Sequence, residues 1–162
     1  MTKSQNFNVF IKEYNDVIYK VCHSYTNNRE DFEDYYQEIC YQLWRSLDSF
    51  KGKSKLSTWV YRVALNVCFL QLKKKKRTIE TSDFGSVDFV ENDIDEKEEN
   101  IQLLYTAIRR LSPTERALII LFLEGKSYKE MSEILGITVS NIGVKVNRTK
   151  SKLKKIMKSK ID

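Results

Sequence analysis

Side chains able to perform bond chemistry are scarce in this sequence. It has a single histidine, His23, next to Cys22, and two further cysteines, Cys40 and Cys68. A Cys-His pair offers two metal ligands, but no second pair stands at the spacing that would close a tetrahedral zinc site. The three cysteines are odd in number, far apart and set in apolar-periodic segments, so they are expected as reduced core residues. No Gly-rich phosphate loop and no nucleophile motif accompanies them. The expectation is a chain that is not an enzyme and uses no metal and no cofactor.

What the sequence carries instead is the chemistry of charge and base recognition. From Ser127 to Lys150 it has the layout of a helix-turn-helix. Met131, Ile134 and Leu135 form the apolar side of a short helix, Gly136-Ile137-Thr138 make a tight turn, and Val139, Ile142, Val146 and Leu153 mark the apolar side of a second helix. Lys145, Arg148, Lys150, Lys152, Lys154 and Lys155 make the opposite side basic and able to meet phosphates. Asn141, Asn147 and Arg148 are residue types that read base edges in a major groove. A second basic concentration comprises Lys51, Lys53, Lys55, Arg62 and the run Lys73 to Arg77, whereas Glu30, Asp31, Glu33, Asp34 and Glu38 cluster earlier. One end of that first block suits a basic protein partner, the other a polyanion.

The elements that must position these residues are helices throughout, because apolar residues recur three and four apart and strand-like alternation is scarce. An early helix carries Phe7, Phe10, Ile11, Tyr14, Val17, Ile18, Val21 and Cys22 on one stripe. A second, from about Glu30 to Leu47, buries Phe32, Tyr36, Ile39, Leu43 and Leu47, with Tyr35 and Trp44 at the edges of that face. A third, from about Ser54 to Lys75, buries Leu56, Trp59, Val60, Val63, Ala64, Val67 and Leu70, leaving Tyr61 and Arg62 off the stripe. A helix from about Glu98 to Arg110 follows. Next, Ser112-Pro113-Thr114-Glu115 forms an N-cap, a proline at the first helical position and a capping box. The helix begun there is expected to stop at Glu124-Gly125.

The 162 residues carry 28 Lys and Arg against 22 Asp and Glu, a formal net charge of +6. That figure conceals three segments of net charge +6 (1–77), −8 (78–100) and +8 (101–162). The middle one lacks sustained periodicity and reads as a solvated acidic linker between two small helical domains. No apolar run approaches the roughly 18 residues of a membrane span, and the polar start MTKSQNFN has no signal-peptide core. A cytoplasmic protein without membrane insertion is expected.

The stretch Asp31-Phe-Glu-Asp-Tyr-Tyr-Gln-Glu-Ile-Cys-Tyr-Gln-Leu-Trp-Arg, with Phe50-Lys-Gly-Lys-Ser and Thr58-Trp-Val-Tyr-Arg-Val-Ala-Leu-Asn66, resembles region two of the extracytoplasmic-function (ECF) sigma factors, a compact class of the sigma-70 family. Leu111-Ser-Pro-Thr-Glu-Arg and Gly125-Lys-Ser-Tyr-Lys-Glu-Met-Ser-Glu-Ile-Leu-Gly-Ile resemble region four of the same family. The resemblance implies an all-α fold of two small helical domains, region two over 1–77 and region four over 101–162, joined by the acidic linker 78–100.

It also implies an RNA polymerase subunit that binds the core enzyme through its β′ and β subunits and directs promoter-specific initiation on DNA. Core-polymerase contacts then map onto Asp31, Asp34, Gln37, Glu38 and Trp44. Minus-10 DNA contacts map onto Phe50, Lys51, Lys53, Lys55, Tyr61, Arg62, Asn66, Lys73 and Lys74, with Phe50 lining the pocket of an unpaired base and Asn66 making a polar contact. Minus-35 contacts map onto Asn141, Gly143, Val144, Lys145, Asn147 and Arg148. Gly143 stands where the family commonly has Lys or Arg, and Val144 where it has a small polar residue. Leu65 and Leu70 depart from the family pattern too, and are expected to make the surface of the third helix less polar. An anti-sigma factor is an implied partner, and the linker is implied to thread the polymerase cleft. A stand-alone helix-turn-helix regulator, whose N-terminal bundle senses or dimerises, is the alternative.

Overall fold

The computed structural model describes residues 2–79 and 96–161. Most of the acidic segment, 80–95, lies outside the described residues, and so does its expected role as a linker. Seven helices make up the described chain: α1 (Lys3–Tyr25), α2 (Arg29–Ser46), α3 (Leu56–Ile79), α4 (Glu96–Ile108), α5 (Pro113–Leu123), α6 (Tyr128–Leu135) and α7 (Val139–Ile161), with a single 3₁₀ turn at Leu47–Ser49 after α2.

Short polar side chains set where the helices begin. Thr2, Ser112 and Ser127 each accept from the backbone N–H three residues on, and the Gln5, Glu115 and Glu130 side chains reach back to the capping residue's own N–H. Each box satisfies donors that a helix start would otherwise leave unpaired. Asn28 caps α2 by accepting from the Asp31 amide, and Thr138 caps α7 by accepting from the Asn141 amide at 3.3 Å. Between α6 and α7 the chain turns at Gly136 with φ of +69°, a left-handed conformation that a Cβ would penalise. That residue fixes the angle at which α7 leaves α6.

Helices α1, α2 and α3 pack on one another around Ile18, Val21, Ile39, Leu43, Val60, Ala64 and Leu65. Helix α7 packs on both α5 and α6 around Leu118, Leu121, Met131, Ile142 and Val146. Fully burying an aliphatic side chain of this size stabilises by about 1.5–3 kcal/mol. The two groups do not stand apart: α5 packs on α1, α6 packs on α3, and their buried side chains form one continuous apolar cluster. A smaller cluster of Ala107, Ile108, Leu111, Ile119 and Leu153 secures α4.

Several expected placements differ. Tyr61, expected off the buried stripe, is only 2 % exposed. The stripe of α3 is wider than one bundle requires because α6 covers a second side of it. Leu65 is buried for the same reason and does not make the surface less polar, whereas Leu70, placed on the buried stripe, is exposed and does make it less polar. Tyr35, placed at an edge, is buried, and the half-buried Tyr36 bonds through its hydroxyl to Asn15. Helix α3 runs on to Ile79, so the whole basic run is helical, and α4 begins at Glu96, inside the segment expected as linker.

Candidate nucleic-acid interface

Helix α7 presents its functional side through the register of its apolar one. Ile142, Val146, Thr149 and Leu153 are buried against the rest of the fold, which leaves Asn141, Val144, Lys145, Asn147 and Arg148 exposed. Gly143 lies at the edge, where a Cβ would meet the Tyr128 ring at 3.5 Å. Further along, Asn147, Arg148, Ser151, Lys152 and Lys155 line a shallow, open depression of about 400 Å³. Its basic walls suit a phosphate backbone. Two expected phosphate contacts are otherwise engaged: the Lys150 ammonium sits 4.5 Å from the centre of the Phe122 ring, and that of Lys152 bonds to Glu115 at 3.0 Å.

On α2 the acidic side chains divide. Asp34 and Gln37 are exposed. Asp31 is held by Lys75 at 2.6 Å and by the Asn28 amide at 3.1 Å, and Glu38 accepts from Gln42 at 2.9 Å. Trp44 lies edge-on to Phe7 with Lys3 above its ring.

The α2–α3 connection and α3 carry the other basic set. Phe50 packs on Trp59 with ring centres 5.2 Å apart, and Lys51, Lys53 and Lys55 are exposed around it. Asn66 and Lys74 line a groove of about 260 Å³ between α2 and α3, together with Glu38, Gln42, Ser46, Val63, Val67, Leu70 and Gln71. Phe50 is not among its walls, so the fold does not gather the aromatic and the asparagine expected to meet one unpaired base around this groove. Lys73 is exposed at the end of the same helix. Arg62 instead donates to the Glu133 carbonyl of α6 at 2.7 Å.

No helix among the described residues is long and apolar enough to cross a membrane. Nor do three metal-ligating side chains gather among the described residues. The three thiols are unpaired with one another; burial, with Cys40 beside it, pushes that of Cys22 up to about 12.

Two family models match the chain: Sigma-70 region 2 over residues 10–78 and Sigma-70, region 4 over residues 101–153. The chain belongs to the sigma-70 family. Among similar proteins, SigG of Mycobacterium tuberculosis, an ECF RNA polymerase sigma factor, is 25 % identical over 97 % of this chain and 50 % of its own length. This chain thus spans about half the length of that relative. SigX of Bacillus subtilis is 24 % identical over 94 % of this chain and 84 % of its own length. The sigma factor RpoE of Bartonella quintana, solved in complex with the anti-sigma factor NepR, superimposes with a TM-score of 0.80 at 24 % identity, covering 95 % of this chain and 98 % of that one.

In this member of the sigma-70 family the two matched regions meet along a polar seam that motif reading missed. The Arg116 guanidinium, in α5, donates to the carbonyls of Leu111 at 2.9 Å, Arg109 at 2.7 Å and Ser24 of α1 at 3.4 Å. Tyr25 donates its hydroxyl to the Pro113 carbonyl at 2.7 Å, and Arg109 donates to the His23 carbonyl at 3.0 Å. The Lys20 ammonium meets Glu124 at 2.8 Å. His23 is 3 % exposed and lies edge-on to Tyr105 with ring centres 4.5 Å apart. Burial pushes its imidazole down to about 4, the Arg109 charge acting in the same direction and a bond with Gln102 opposing it. A charged side chain inside an apolar-periodic segment was the available signal: Arg116 sits one turn from the buried Leu118 to Leu121 and has no reason to be there unless it satisfies buried carbonyls.

Proposed function

We propose that this chain is the promoter-specificity subunit of a bacterial RNA polymerase, binding the core enzyme through region two and promoter DNA through both regions. The observation that carries this reading is the exposed side of α7, where Asn141, Lys145, Asn147 and Arg148 project from a helix held by a glycine turn behind a short helix. Such a helix enters the major groove with its N-terminal residues on base edges. Asp34 and Gln37, exposed on α2, together with Asp31, Glu38 and Trp44, would meet the basic polymerase surface. Lys51, Lys53, Lys55, Lys73, Lys74 and, once released from α6, Arg62 would hold the minus-10 strand, with Phe50 at the unpaired base and Asn66, on the separate α2–α3 groove, making a polar contact to the same strand. Extruding a base costs a few kcal/mol, recovered by stacking and edge bonds. Tyr61, buried, is left out of that set. The division of labour is region two over 1–77, the connecting segment 78–100 and region four over 101–162. The protein would act in the cytoplasm without bond chemistry of its own, and an anti-sigma factor would restrain it, as the RpoE–NepR complex suggests.

Run-off transcription tests the reading. Core polymerase supplied with this chain is expected to initiate from a promoter that core alone ignores. A chain that binds an operator tightly without polymerase, and that leaves core transcription unchanged, would instead be a stand-alone regulator.

A further inference from the structure

The outward side of α7 is centred on a residue that makes no hydrogen bond through its side chain. Taking 3.6 residues per turn, Val144 lies about 200° around the helix from Ile142 and so opposite the buried side, with Ser140, Asn147, Arg148 and Asn141 to either flank. Its side chain is half exposed, at 50 %. A single exposed valine on an ordinary surface calls for no explanation. This one stands in the middle of a DNA-facing helix, beside Arg148 and Lys145, which draw that side against phosphates, so docking would strip it of water. Burying an isopropyl group is most favourable where it meets another apolar group and strands no donor or acceptor. The base edges of the major groove offer donors, acceptors and one apolar group of comparable size, the C5-methyl of thymine.

The neighbouring position reinforces the choice. Gly143 adds no side chain that could compete for the same base, and the exposed Tyr128 ring lies beside it at ordinary contact distance for a Cβ. On the Gly143 side, Val144 thus has no side chain of the preceding residue beside it.

Resting on the proposed function, we infer that Val144 is a specificity-determining residue that selects a thymine in the upstream promoter element by contact with its methyl group. The Asn141, Lys145, Asn147 and Arg148 side chains around it read or hold the flanking positions.

The test uses the holoenzyme made from the full chain and core polymerase. Duplexes randomised across promoter length are selected on it, and each upstream thymine that emerges is replaced in turn by deoxyuridine, which keeps the pairing edge and removes only the methyl. At one position the loss of the methyl is expected to weaken binding about fourfold, the worth of one buried methyl group. The Val144→Ser holoenzyme should bind the thymine and deoxyuridine duplexes alike at that position while keeping its response elsewhere. Being exposed, residue 144 tolerates serine without loss of the fold, which thermal unfolding of the variant checks. Indifference of the wild type to every upstream methyl, or an undiminished methyl response in Val144→Ser, would overturn the inference and leave the proposed function standing. Selection of no upstream sequence at all would overturn both.

Discussion

Arg116 and His23 show how a residue can matter through what it cannot give up. Arg116 satisfies three backbone carbonyls at once, and its guanidinium also lies 5.5 Å from the centre of the Tyr25 ring. Removing one partner of a buried, charge-assisted arrangement leaves acceptors without donors, at about 1–3 kcal/mol for each group stranded. Arg116→Ala is therefore expected to destabilise the chain by about 3 kcal/mol, and Arg116→Lys to recover only part, since an ammonium cannot reproduce the planar fork; denaturant unfolding measures both. His23 makes stability depend on pH. Its imidazole titrates near 4 in the fold, against about 6.5 in an unfolded chain, so folding favours the neutral form. The stabilisation is complete above pH 6.5 and is lost as pH falls from there towards 4. Between pH 6.5 and 5, above most carboxylate titration, the melting temperature of the wild type should fall while that of His23→Gln stays nearly flat. Neither role was legible in the motifs, because both depend on which strand-free surface a distant helix covers. Tyr61 was misplaced for the same reason: helical periodicity reports which side of a helix is apolar, not how many neighbours press on it.

At the scale of elements, the local signals served best where a cap or a turn sets the boundary. The Ser112 box and the Gly136 turn stand where their residue types place them, and in α7 the expected apolar residues Ile142, Val146 and Leu153 are buried, whereas Val139, in the first turn, is exposed. Boundaries without such punctuation were less legible: α3 continues through a lysine run that composition alone does not distinguish from a charged linker, and α4 starts among acidic residues that suit a helix N-terminus. Two predictions concern α7. Gly143 lies inside a helix, and a Cβ there meets only Tyr128 side-chain atoms, at 3.5 Å and 3.8 Å. Gly143→Ala is accordingly expected to stabilise the chain by about 0.5–1 kcal/mol in thermal or denaturant unfolding. Lys145→Ala and Arg148→Ala should each weaken holoenzyme binding at the upstream element. Where the lost contact is to a phosphate, the slope of log affinity against log salt falls by about one; where it is to a base, the slope is kept and preference at one position relaxes.

For the whole molecule, charge segregation suggested two basic bodies on an acidic tether, and nothing in it foretold that α5 and α6 lie on α1 and α3. That packing is written in apolar surface wider than one three-helix unit needs, such as Leu65 and Tyr61, and in polar groups like Arg116 and Tyr25 that each have a partner across the seam. The seam has a consequence for action. Arg62, a minus-10 DNA contact in the proposed function, donates one of its five N–H groups to the Glu133 carbonyl, which ties its guanidinium to α6 while α6 stays against α3. If promoter DNA draws that guanidinium away to a phosphate, α6 loses this tie to α3 and is expected to loosen. An eight-residue helix has little stability of its own, so its amides report the change. Hydrogen exchange over Tyr128 to Leu135 should be slow in the free chain and faster in holoenzyme bound to a melted promoter. Arg62→Ala should raise exchange in the free chain towards the bound level, and Lys20→Ala, which removes the ion pair with Glu124, should move it less, because a partly exposed pair is worth under about 1 kcal/mol. Equal protection of α6 in the free and promoter-bound states would mean that the seam persists on DNA and that Arg62 belongs to the fold rather than to the promoter.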